Sequence, residues 1–80
     1  MHPAYRPGQA GPRRLNGGNL YPDLIRLLCS AGCTFVRAAK GSHEIWFSPI
    51  TGRRFTVPRN TVMVHTANGI LRDAGLPEAF

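Results

Sequence analysis

The chain has 80 residues, one domain at most, with ten Lys and Arg against four Asp and Glu for a net charge of +6. A core this small leaves no room for a cofactor domain or a deep cavity, so any chemistry must sit on a surface or in a shallow groove. The charge points to a polyanionic partner such as a nucleic acid. No apolar run approaches the roughly 20 residues that span a bilayer, and the N-terminus lacks the apolar stretch of a signal peptide. A cytoplasmic protein with no membrane partner is therefore expected.

Residues 1–19 are dominated by glycine and proline, with no apolar period, and are expected to form a flexible basic tail carrying Arg6, Arg13 and Arg14. The folded domain is expected over 20–80. Its first helix is predicted from Leu20 to Gly32. Pro22 suits the opening turn, Asp23 complements the helix dipole, and Leu24, Leu27, Leu28 and Ala31 make one apolar stripe. Gly32 is placed to end it in a left-handed conformation.

Cys33–Ala39, His43–Ser48 and Arg53–Val57 are rich in β-branched and aromatic residues and read as strands. Lys40-Gly41-Ser42 and Pro49-Ile50-Thr51-Gly52 are the turns between them, and Pro58 stops the third strand. Such short connections make an antiparallel meander. A second helix is predicted from Thr66, as its cap, to about Ala74, with the stripe Ala67, Ile70, Leu71, Ala74 and the stop signals Gly75 and Pro77. The expected fold is α+β, helix-strand-strand-strand-helix, with both helices on one face of the sheet. Among the aromatics, Trp46, Phe35, Phe47 and Phe55 are expected in the core of so small a chain.

Arg37, Lys40, Arg53, Arg54 and Arg59 fall between residues 33 and 59 and are opposed there only by Glu44. The sheet and its turns are thus the electropositive part of the molecule, suited to phosphate contacts that give affinity without sequence readout. His43 begins a strand directly after the glycine turn that carries Lys40. A histidine exchanges protons at neutral pH, and RNA supplies its own nucleophile, the 2′-hydroxyl. One histidine with neighbouring Lys or Arg is therefore expected to cover much of RNA cleavage without a metal or cofactor. In this reading His43 is the acid/base, Arg37, Lys40, Arg53, Arg54 and Arg59 hold phosphate, and Gly41 and Ser42 shape the turn. Glu44 points away from His43 by strand alternation.

Other chemistries find little support. Cys29 and Cys33 are too few for a disulfide framework, and no second paired-ligand cluster joins them in a zinc site. The carboxylates Asp23, Glu44, Asp73 and Glu78 are too dispersed for a two-metal nuclease or a glycosidase. His2 falls in the tail and His65 precedes the second helix. A non-catalytic RNA-binding module explains the charge and fold equally well, and His43 is the feature that separates the two readings.

The order of these pieces resembles the HicA family of bacterial toxins over about residues 22–80. The resemblance is carried by Asp23-Leu24-Ile25-Arg26-Leu27-Leu28, Phe35-Val36-Arg37, Lys40-Gly41-Ser42-His43, Phe55-Thr56-Val57-Pro58 and Ile70-Leu71-Arg72-Asp73-Ala74-Gly75-Leu76. It implies a fold like a double-stranded-RNA-binding domain and the activity of an mRNA interferase that arrests translation. It also implies dependence on the histidine at position 43, and a HicB-type antitoxin that covers the active surface in a hetero-oligomer. Where many members carry a second histidine after Val-Pro, this chain has Asn60. Where many open the last helix with Gly-Thr-Leu, it has His65-Thr66-Ala67.

Overall fold

The computed structural model describes residues 18–80. The tail expected over 1–19 lies outside the described residues as far as residue 17. The elements run α1 (Tyr21–Ser30), β1 (Thr34–Ala38), β2 (His43–Ser48), β3 (Arg53–Pro58) and α2 (Val64–Asp73). The strands form an antiparallel sheet in the order β1-β2-β3. The α+β helix-strand-strand-strand-helix architecture is the expected one.

Helix α1 begins as its sequence dictates, with Pro in the opening positions and Asp23 in the first turn. Leu24 and Leu28 are fully buried, while Leu27 of the same stripe stays exposed. Gly32 leaves the helix at φ +90°, a conformation that costs residues with a Cβ about 1–2 kcal/mol. Helix α2 corrects the expected start. It begins at Val64 rather than being capped by Thr66, and its N-cap is Met63, in an extended conformation without a side-chain cap. The start is fixed from outside the helix. Thr61 is buried, donates through Oγ1 to the Pro58 carbonyl at 2.6 Å, and accepts the Leu20 N–H at 2.7 Å.

Leu24, Leu28, Cys33, Trp46, Phe55, Val57, Ile70, Leu71 and Ala74 form the core. Strand alternation puts Glu44, Trp46 and Ser48 of β2 on the same side as Phe55 and Val57 of β3. Both helices bury their stripes against that side. Phe35 and Phe47 correct the expectation of core positions: Phe35 is 51% exposed, and Phe47 lies half-buried on the face opposite the core, because it alternates with the buried Trp46 and Ser48. Phe35 meets Trp46 edge-on, with ring centroids 6.0 Å apart, but edge strand β1 is exposed along its whole length. Irregular register between Phe35 and Arg37 shows β1 bulging at Val36.

The far end of the sheet is tied down by Ser48. Its buried hydroxyl donates to the Ala74 carbonyl at 2.7 Å and accepts the Ile50 N–H at 3.1 Å. The β2–β3 turn is thereby held against the end of α2, where Gly75 takes φ +87°. A Cβ at Gly75 would stand 2.7 Å from Ile50 Cγ2. Among the described residues, no helix is long and apolar enough to cross a membrane.

Candidate functional site

Three segments converge at the end of the sheet where β2 starts: the turn 39–43, the loop 58–61 and the residues that lead into α1. The turn is closed by the Ala39 N–H on the His43 carbonyl at 2.8 Å and the His43 N–H on the Lys40 carbonyl at 3.3 Å. Gly41 holds φ +66° within it, with nothing within 4 Å of where a Cβ would stand. The glycine is needed for its conformation, and the space above it is open.

The loop docks on this turn through the Arg59 N–H, which donates to the Ser42 carbonyl at 2.8 Å. Ser42 Oγ also lies 3.4 Å from Asn60 Oδ1, a long contact that leaves the hydroxyl able to turn to another acceptor. Asn19 joins both to α1. Its Nδ2 donates to the Arg59 carbonyl at 2.9 Å and its Oδ1 accepts the Tyr21 N–H at 3.1 Å. A continuous run of hydrogen bonds therefore connects the first turn of α1 to the residue before His43.

His43 is exposed at the head of β2, as are Lys40, Gly41 and Arg59 around it. Among the described residues, the Gly41 and Ser42 N–H groups have no hydrogen-bond partner. This end of the sheet thus carries an exposed histidine, two exposed cationic residues and two unpartnered amides.

The nearest carboxylate, Glu44, is turned to the other face and is 8% exposed. Its Oε1 accepts the Tyr21 hydroxyl at 2.8 Å and Trp46 Nε1 at 3.0 Å. Burial, then the hydrogen bond to Glu44 and its charge, push the Tyr21 phenol up to about 12, against a lowering pull from Arg59. This network secures the strand residue next to His43 from behind.

The remaining expected phosphate ligands are spread along the sheet. Arg37 pairs with Ile45, two residues from His43, and Arg54 pairs with Phe47, four residues away. Both share the face of His43. Arg53 pairs with Ser48 at the opposite end and, by alternation, falls on the helix side. His65 is exposed in the first turn of α2. Cys29 and Cys33 are free thiols, and among the described residues no group of three or more His, Cys, Asp and Glu could hold a metal ion.

Sequence reasoning missed Asn19 and Asn60 as parts of this end and Glu44 as a buried acceptor. The signal for Glu44 was available: a lone carboxylate on the apolar row of a strand, two residues from an indole donor. Asn19 and Asn60 carry no such local mark, because their partners lie 40 and 18 residues away.

Compared with known proteins, residues 21–76 match the family model described as HicA toxin of bacterial toxin-antitoxin. No curated protein and no solved structure matches the chain.

Proposed function

The chain belongs to the HicA toxin family of bacterial toxin–antitoxin systems, and from that premise we propose that it is a metal-independent endoribonuclease, an mRNA interferase that arrests translation, with His43 as its acid/base. The family implies an antitoxin partner, and in this reading a HicB-type antitoxin covers the His43 surface in a hetero-oligomer. The observation that carries the proposal is the exposed His43 at the head of β2, on the end of the sheet that also carries the exposed Lys40 and Arg59.

The chemistry follows from the groups at that end. The His43 imidazole takes the proton of a ribose 2′-hydroxyl. The oxygen attacks the adjacent phosphorus, the bond from phosphorus to the 5′-oxygen breaks, and the imidazolium returns the proton to the leaving oxygen. The products are a 2′,3′-cyclic phosphate and a 5′-hydroxyl. Lys40 and Arg59 hold the phosphate charge where it builds up, and the unpartnered Gly41 and Ser42 amides point donors at its oxygens. Arg37 and Arg54 hold flanking phosphates. Arg53, at the other end and on the helix side, is too far from His43 to touch the same phosphate and serves only general attraction.

The test is cleavage of a mixed-sequence RNA in EDTA by the full chain and its His43→Ala variant, with RNA binding measured on both. Cleavage by the wild type alone, with binding retained by both, supports the proposal. Binding without cleavage by either protein leaves a non-catalytic RNA-binding module. Equal cleavage by both removes His43 from the mechanism.

A further inference from the structure

We propose that the face of the sheet left open by both helices, among the described residues, is a track for single-stranded RNA, running from His43 along β2 to Phe47. The inference rests on the nuclease reading above and names the form of substrate that the reading leaves open.

The core lies on one side of the sheet, with the buried residues of both helices packed against Trp46, Phe55 and Val57. The opposite side carries His43, Ile45 and Phe47 in one row on the central strand, by strict alternation. Phe47 stands about 13 Å along the strand from His43 at the usual strand rise, within reach of the nucleotides that follow one held at the histidine. Ile45 and Phe47 are half-buried, so part of each apolar side chain stays open along this row.

Register supplies the flanks. Arg37 and Thr34 of β1 pair with Ile45 and Phe47 on one side, and Thr56 and Arg54 of β3 pair with them on the other. The apolar row is therefore bordered on both sides by an arginine and a hydroxyl. Arg26 and Arg72 are paired with Asp23 and Glu78. Arg37 and Arg54 have no carboxylate partner among the described residues. No carboxylate lies on this face either, because Glu44 is turned into the core and the other three belong to the helices and the C-terminal segment.

A row of apolar side chains between arginines without carboxylate partners, Arg37 donating to the Ala38 carbonyl, matches a strand whose bases turn inward and whose phosphates run along the edges. A duplex does not fit this surface. Its base faces are stacked within the helix, where a phenyl ring on a flat sheet cannot reach them. Charge complementarity and continuity with His43 thus favour unpaired RNA as the occupant over a protein.

The experiment measures binding of labelled RNA to the full chain carrying His43→Ala, in EDTA, so that cleavage does not interfere. The probes are a mixed-sequence single strand and the same sequence annealed to its complement. On this background Phe47→Leu keeps the packing and removes the ring, Arg37→Gln with Arg54→Gln removes the flanking charges, and Phe35→Ala removes an exposed ring on the other face. Thermal unfolding checks that each variant is folded. The single strand should bind more tightly than the duplex, and Phe47→Leu should weaken it about 5- to 150-fold, the usual range for losing one stacked base. The arginine pair should flatten the salt dependence, and Phe35→Ala should change nothing.

Wild-type affinity in Phe47→Leu, or equal affinity for duplex and single strand, would overturn the track. So would the absence of RNA binding in a chain that binds an acidic protein through the same face. If the binding pattern holds but the wild-type chain cuts no RNA, the track stands and the nuclease reading falls.

Discussion

Replacing Tyr21 by Phe tests whether the buried carboxylate behind the site is fixed by its donors. The Tyr21 hydroxyl reaches Glu44 Oε1 at 2.8 Å, and the same oxygen takes the Trp46 indole at 3.0 Å. Glu44 is 8% exposed, so a lost donor is poorly replaced by water. A hydrogen bond to a charged group contributes about 1.5–3 kcal/mol. Tyr21 itself is partly solvated, which places the expected loss near the lower end, about 1.5 kcal/mol, or about 6–12 °C in Tm for a domain of this size. Urea and thermal unfolding followed by the fluorescence of Trp46, the single tryptophan, would measure it. Glu44→Gln should cost a similar amount, and the double variant should cost less than the sum, because the two changes remove one interaction. A Tyr21→Phe variant within about 0.5 kcal/mol of wild type, the range of ordinary surface changes, would refute the reasoning.

Four further outcomes can be measured. Tyr21 has a folded value of about 12 against an ordinary 10.0, so the folded state holds its proton more tightly than the unfolded one. Its stabilising contribution is complete below pH 10 and disappears as pH rises from 10 to 12. An ultraviolet absorbance titration should show a late tyrosine step that vanishes in Tyr21→Phe and moves back toward 10 in Glu44→Gln. Gly75→Ala should destabilise the fold well beyond the conformational cost of its φ of +87°, because the new Cβ meets Ile50 at 2.7 Å. Gly41→Ala should cost only about 1–2 kcal/mol in unfolding experiments, since its turn has open space above it. RNA binding through three to five phosphates should weaken with salt at a log–log slope of roughly −2 to −4, and salt-insensitive binding would count against a phosphate-driven contact.

Much of the fold was legible because its elements are marked locally. Pro22 and Asp23 open α1, Gly32 closes it at positive φ, and the two turns carry the glycines that their conformations require. The stripe Ala67, Ile70, Leu71, Ala74 is wholly buried, as its helical spacing implies. The misreadings share a cause: they depend on partners distant in sequence. Thr66 looks like a cap, but α2 starts earlier because Thr61 is bonded to Pro58 and Leu20. Phe35 has the composition of a core residue, yet its edge strand lies where the helices do not cover it. For the site, the chain order alone placed His43 at a strand head and Glu44 on the opposite face. The division of the arginines did not show in composition. It required the register that puts Arg37 and Arg54 on the face of His43 and Arg53 on the other side.

The most direct measurement of the central claim is a cleavage time course in EDTA on one RNA oligonucleotide and its fully 2′-O-methylated counterpart, with the product ends identified. The account predicts that only the unmodified RNA is cut, that its fragments end in 2′,3′-cyclic phosphate and 5′-hydroxyl, and that His43→Ala abolishes the reaction. Cutting of the methylated strand, fragments with 5′-phosphate ends, or an absolute need for a divalent metal would contradict it.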